Sequence, residues 1–178
     1  KHRRRQRQMC IRDSLITVDV ARGLGNDYSA FVVFDITNFP YKAVAKYRNN
    51  EIKPMLFPSI IDDIGKAYNK AFILCEVNDI GDQVASILNY DLEYDNLLMC
   101  SQRGRAGQVV GAGFSGKRSQ LGVRTTQAVK KLGCSNLKTL LEDDKILIID
   151  YDIISELTTF SQKHNSFEAE EGLSLIHI

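Results

Sequence analysis

The sequence predicts a mixed α/β domain, one central sheet with helices on its faces. Three observations carry this. The N-terminal third holds three β-branched or alternating apolar runs separated by turn residues. Beyond it, strand-sized apolar runs alternate with segments of helical spacing. The 178 residues, 44% of them hydrophobic, are enough for one buried core and too few for two. No apolar run approaches the roughly 20 residues that span a bilayer, so a soluble protein with no membrane partner is expected.

Leu15–Ala21 (LITVDVA) and Tyr28–Ile36 (YSAFVVFDI) read as two strands of a hairpin, joined through Arg22–Asp27 with Gly23 and Gly25. Ala43–Arg48 alternates as a third strand after the Asn38–Pro40 turn, giving three antiparallel strands in a row. From Pro58 to Tyr68, Ile60, Ile61, Ile64, Ala67 and Tyr68 recur at helical spacing, which sets Asp62 and Asp63 on the outer face of a helix. Ala71–Val77 (AFILCEV) is a fourth strand, Gln83–Leu92 a helix after Gly81, and Leu97–Cys100 the strand that completes a crossover. Ser101–Gly122, with six glycines, reads as a mobile loop or hairpin. Arg124–Leu141 resumes helical spacing through Ala128, Leu132, Leu137, Leu140 and Leu141, with Gly133 expected to split it into two helices. Ile146–Ile149 is a further strand, Ile153–Phe160 a helix, and Glu168–Gly172 an acidic loop.

The two ends stand apart from this pattern. Residues 1–14 (KHRRRQRQMCIRDS) carry six Lys/Arg without apolar periodicity, and residues 173–178 (LSLIHI) follow the acidic loop abruptly. The domain is therefore expected at 15–172, with residues 1–14 a non-native or disordered flank and residues 173–178 a non-native tail. The four cysteines (Cys10, Cys75, Cys100, Cys134) form no CxxC pair and have no histidine cluster beside them, which leaves reduced thiols and no zinc site.

The net charge of +1 conceals a segregation. Ser101–Leu141 holds eight basic residues, among them Lys117, Arg118, Arg124, Lys130 and Lys131, and no Asp or Glu. Positive charge gathered in one segment, with carboxylates elsewhere, suits a chain that holds a polyanion beside bound cations.

Asp19 lies inside an otherwise apolar first strand, and Glu76 lies near the end of the fourth, flanked by Ile73, Leu74 and Val77. An ionised carboxylate in such a setting is costly unless a cation or donor compensates it. Two acids on adjacent strands make a divalent-cation site with oxygen ligands suited to Mg²⁺ or Mn²⁺.

Four ordered motifs resemble the nuclease domain of tailed-phage terminase large subunits. ITVDVARGLGNDYSAF (Ile16–Phe31) resembles its opening and ILCEVNDIG (Ile73–Gly81) its second acidic motif. LGVRTTQAVKKLGCSNLKTLLEDDKI (Leu121–Ile146) resembles its basic helical region, and EAEEG (Glu168–Gly172) the segment leading into its third acidic motif. The resemblance implies a ribonuclease H-like fold and metal-dependent endonucleolytic cleavage of concatemeric double-stranded DNA during genome packaging. It carries a metal-binding, catalytic role to Asp19 and Glu76, and a weaker one to Asp27 in the GNDY run. It further implies a two-metal site for Mg²⁺ or Mn²⁺, with phosphate contacts from Lys117, Arg118, Arg124, Lys130 and Lys131. The implied partners are double-stranded DNA, a terminase ATPase domain encoded upstream, the portal protein and the small terminase subunit, in the host cell cytoplasm at the procapsid. The family's third acid, in an Asp pair after the EEG motif, and its final helix have no counterpart here, since Gly172 leads directly into LSLIHI. Glu170 and Glu171 read as solvated loop acids, so the chain as it stands is expected to lack nuclease activity.

Gly111–Gly116 spells GxGxxG, and Gly111–Lys117 most of a P-loop, with Arg118 where Ser or Thr would hold Mg²⁺. Neither follows a strong strand, and both read as accidents of a glycine-rich loop. His164, the one histidine outside the flanks, reads as a surface residue. Two alternatives stay open: another ribonuclease H-like nuclease such as a junction resolvase, and a non-catalytic DNA-binding module.

Overall fold

The computed structural model describes residues 13–103, 107–111, 119–163 and 166–169. Its centre is a five-stranded mixed sheet. Strands β1 (Ser14–Asp19), β2 (Ser29–Asp35) and β3 (Tyr41–Asn49) are antiparallel neighbours. Strand β4 (Phe72–Cys75) pairs parallel with β1 on one side and β8 (Ile146–Leu147) parallel with β3 on the other, giving the order β4-β1-β2-β3-β8. The three-strand start and mixed sheet expected from the apolar patterning are both present.

Alternate side chains of a strand face opposite sides, and the two sides carry two cores. On one, Ile16, Val18, Phe31 and Val33 pack with Phe57 and Ile61 of helix α1 (Phe57–Ala67) and Val84 of helix α2 (Gly81–Ser86). The rings of Phe31, Tyr47 and Phe57 stack there, with centroids 5.2–6.2 Å apart. On the other, Val32 and Phe34 pack with Ile153 of helix α4 (Tyr151–Thr159). Lys46 of β3 clamps the start of α4 through Asp150 and Asp152, and Arg48 reaches Glu156 at 3.4 Å.

Several elements depart from expectation. Asp62 is buried at 6% exposure, its charge met by an ion pair with Lys66 one turn along the helix. The second helix ends at Ser86 and runs into a π-helical turn, Ile87–Asp91. Leu97 alone bridges β4 in parallel, at Ile73; the chain then leaves as β5 (Met99–Arg103). With β6 (Gly107–Gly111) and β7 (Ser119–Leu121), β5 forms a separate three-stranded sheet, in which the antiparallel β5–β6 pair is the hairpin of the two forms expected for the glycine-rich segment.

Gly133 does not split its helix. Helix α3 runs unbroken over Gln127–Glu142, since a glycine that meets nothing costs a helix only about 1 kcal/mol. Its apolar residues are not a buried face either: no α3 residue is buried, and Leu132 is 63% exposed. Strand β8 is only two residues long, and Phe160 and Glu168 belong to a hairpin of β9 (Phe160–Lys163) and β10 (Ser166–Ala169) rather than to a helix and a loop.

Candidate functional site

Asp19 is the last residue of β1, and Glu76 follows β4 by one residue. The parallel register pairs Thr17 with Leu74 and Val18 with Cys75, and the Glu76 amide donates to the Val18 carbonyl at 2.8 Å. Val18 and Cys75 are buried in the first core. Asp19 and Glu76, the next residue of each strand path, therefore emerge side by side on the opposite face. Both are half-buried, and their side chains are hydrogen-bonded to one another.

That contact requires a proton between two carboxylates. Burial first, then the charge and hydrogen bond of Glu76, push the Asp19 carboxyl up to about 7, against an opposing backbone hydrogen bond at Val20. Asp27 adds a smaller raising effect from the exposed β1–β2 loop. Burial and the neighbouring carboxylate thus oppose ionisation of Asp19, and the hard oxygen donors of the two groups fit Mg²⁺ or Mn²⁺. Among the described residues no group of three or more His, Cys, Asp or Glu is placed to hold a metal ion, so Asp27 does not complete a three-ligand set.

Close backbone approaches hold Glu76 in place. Gly122 has φ +81°, and a Cβ there would lie 2.2 Å from the Cys75 carbonyl oxygen. The glycine lets Val123 bridge Glu76, with Val77 donating to the Val123 carbonyl at 2.9 Å and Val123 to the Cys75 carbonyl at 2.8 Å. A Cβ on Gly81 would lie 2.0 Å from the Glu76 carbonyl oxygen, which fixes the turn after the acid. Arg22 spans the two loops beside the site with a bidentate pair to Asp79, at 2.6 and 2.7 Å.

Of the expected DNA contacts, Lys117 and Arg118 lie outside the described residues, as do the GxGxxG segment beyond Gly111, His164, Glu170 and Glu171. Arg124 is exposed between Val123, which bridges Glu76, and Thr125. Its backbone neighbours thus tie it to the acid pair. Lys130 and Lys131 stand on α3 close to its first turn, Lys131 exposed and Lys130 half-buried near Cys134. Helix α3 begins at the Thr126 cap, whose side chain accepts from the Val129 amide at 3.3 Å.

Sequence reasoning overlooked Asn78, whose Nδ2 donates to Glu76 Oε1 at 2.9 Å and to the Thr125 carbonyl at 3.0 Å. It also missed the Arg22–Asp79 clamp and the Arg48 guanidinium over the Tyr28 ring, 3.7 Å from its centroid. Each joins segments far apart in sequence, so no local spacing announces it. The helix cap did have a signal: Thr125–Thr126 ahead of the helical spacing is an N-cap pattern that starts α3 at Gln127 rather than Arg124.

A model of the terminase RNase H-like domain family matches residues 16–174. This chain belongs to that family. The terminase domain shares its fold with the large terminase nuclease of thermophilic phage G20c in its magnesium-bound form, at TM-score 0.66 and 18% identity, covering 92% of this chain and 75% of that one. It is likewise similar to the large terminase nuclease domain of Thermus phage P74-26, at TM-score 0.57 and 20% identity over 87% of this chain and 67% of that one. The manganese-soaked human cytomegalovirus terminase nuclease domain matches at TM-score 0.50 and 8% identity, over 83% of this chain and 74% of that one. The chain is accordingly a terminase RNase H-like domain, and its fold is the one these large terminase nucleases share.

Proposed function

We propose that this domain hydrolyses double-stranded DNA with divalent cations, Mg²⁺ or Mn²⁺, held by Asp19 and Glu76. One observation carries the reading: two carboxylates meet, hydrogen-bonded to one another, at the ends of adjacent parallel strands, where burial and the neighbouring Glu76 raise Asp19 to about 7. The magnesium- and cobalt-bound forms of the G20c nuclease support a divalent cation in this fold. When bound, a cation pair activates water for in-line attack on a phosphodiester and stabilises the leaving oxygen. Asp19 and Glu76 supply the negative charge and the oxygen ligands, and bring the cations to one edge of the sheet. Arg124, Lys130 and Lys131, with Lys117 and Arg118 from the same basic segment, place the backbone phosphates without reading bases.

In this reading residues 15–172 form the domain, and residues 1–14 and 173–178 flank it. The ATPase domain, portal protein and small terminase subunit are its partners, in the host cell cytoplasm at the procapsid. No described helix is long and apolar enough to cross a membrane. Among the described residues two carboxylates converge rather than three, so cleavage by these 178 residues alone should be near background. A chain extended after Gly172 by a terminase segment with an Asp pair should linearise plasmid DNA with Mg²⁺ or Mn²⁺. Asp19→Ala or Glu76→Ala should abolish that cleavage with the circular dichroism spectrum unchanged. Persistence of cleavage in either folded variant would sink the reading.

A further inference from the structure

We propose that Asn78 is a positioning residue: it holds the Glu76 carboxylate in its cation-binding orientation and makes that orientation depend on the connection between β7 and α3. The inference rests on the cation site proposed above and adds a group that acts through Glu76 rather than on the cation.

The amide faces two acceptors, a carboxylate oxygen at 2.9 Å and a backbone carbonyl at 3.0 Å. A backbone carbonyl cannot donate, so the nitrogen must be the atom that faces the pair, and both of its hydrogens are committed. Its backbone is equally constrained. The Asn78 carbonyl accepts from the Gly81 amide at 3.0 Å, and Asp79 beside it takes φ +50° while paired with Arg22. A rigid donor on Oε1 stops the carboxylate from rotating and leaves the other oxygen outside that restraint. The second hydrogen bond ends on Thr125, one residue before the α3 cap and one after Arg124. Beside the backbone bridge of Val123, Asn78 therefore carries any shift of that connection to the Glu76 side chain itself.

Groups that orient metal ligands in this way typically cost about 10–100-fold in metal affinity when removed. The test is a Mn²⁺ titration of the 178-residue chain, followed by the electron paramagnetic resonance signal of the free ion, so that no cleavage is required. Wild-type binding that Asp19→Asn does not weaken would overturn the cation site itself. With that control satisfied, Asn78→Ala should weaken Mn²⁺ binding by roughly 10–100-fold, while its melting temperature without metal and its DNA affinity in EDTA stay near wild type. Unchanged Mn²⁺ affinity, or a loss matched by equal losses of DNA affinity and stability, would overturn the role of Asn78 and leave the site standing. If Asn78→Ala does not fold, Asn78→Ser decides, since a hydroxyl has one proton for two acceptors: wild-type Mn²⁺ affinity in that variant overturns the proposal, and a several-fold loss supports it. Thr126→Ala, which removes the cap, should weaken Mn²⁺ binding in the wild-type background and have no effect in Asn78→Ala. Equal effects in both backgrounds would overturn the link to α3.

Discussion

A carboxyl group raised to about 7 in the folded chain binds its proton more tightly there than at its ordinary value of 3.8 in the unfolded chain. The sign follows by linkage: protonation of Asp19 favours the folded state, the gain is complete below 3.8, and it is lost as pH rises through about 7. Without divalent cations, the melting temperature should therefore fall between about pH 5.5 and 8, and Asp19→Asn should flatten that fall. A wild-type profile in the Asn variant would place the responsible proton elsewhere. Mg²⁺ should recover stability at about pH 8 in the wild type alone, because a bound cation replaces the missing countercharge. At the same scale, Gly122→Ala should cost roughly 2–3 kcal/mol in urea denaturation, since its Cβ would meet the Cys75 carbonyl oxygen at 2.2 Å and its φ is +81°. A neutral substitution would mean that the Val123 bridge can move aside without loss.

Helix α3 lies beside β6, β8 and β10 without fully burying a side chain. Its start is fixed by the Thr126 cap and by the Thr125 bond to Asn78. Lys131 is exposed and Lys130 half-buried, and the helix sequence holds no acid before Glu142. Replacing both lysines with Ala should flatten the slope of log DNA affinity against log salt by up to about two units, equally for unrelated sequences; an unchanged slope would make them solvated side chains. This element also marks where sequence reading succeeds and where it stops. The strands β1–β4 were legible because a two-residue alternation, or a short apolar run between turns, fits little besides a strand. In α3 the spacing of Leu132, Leu137 and Leu141 was legible as a helix, but burial depends on what packs against it, and spacing is silent on that. Asp19 and Glu76 stood out as charges in apolar strands. Asn78 did not, because a polar residue after a strand is ordinary until its partner, 47 residues away, is known.

Across the whole domain, the pairing of β4 with β1 brings the acid pair together, while the basic residues arrive from one later stretch of chain. Because the resemblance places a third acid and a closing helix after the EEG motif, extending the chain past Gly172 with both should raise cation-dependent cleavage and lower aggregation together. Improved solubility without cleavage would separate the two contributions. One last consequence comes from the outer edge of β4, which is shared by Leu97 near its start and Val123 just past its end. The Gly122 amide donates to the Leu98 carbonyl at 2.9 Å, and Ser101 pairs directly with Ser119, so the excursion between them leaves and returns at one point. Residues 102–118 are thus inserted between two directly paired residues. A two-residue hairpin turn joining Ser101 to Ser119 should keep the sheet and its cation affinity while removing Arg103, Arg105, Lys117 and Arg118.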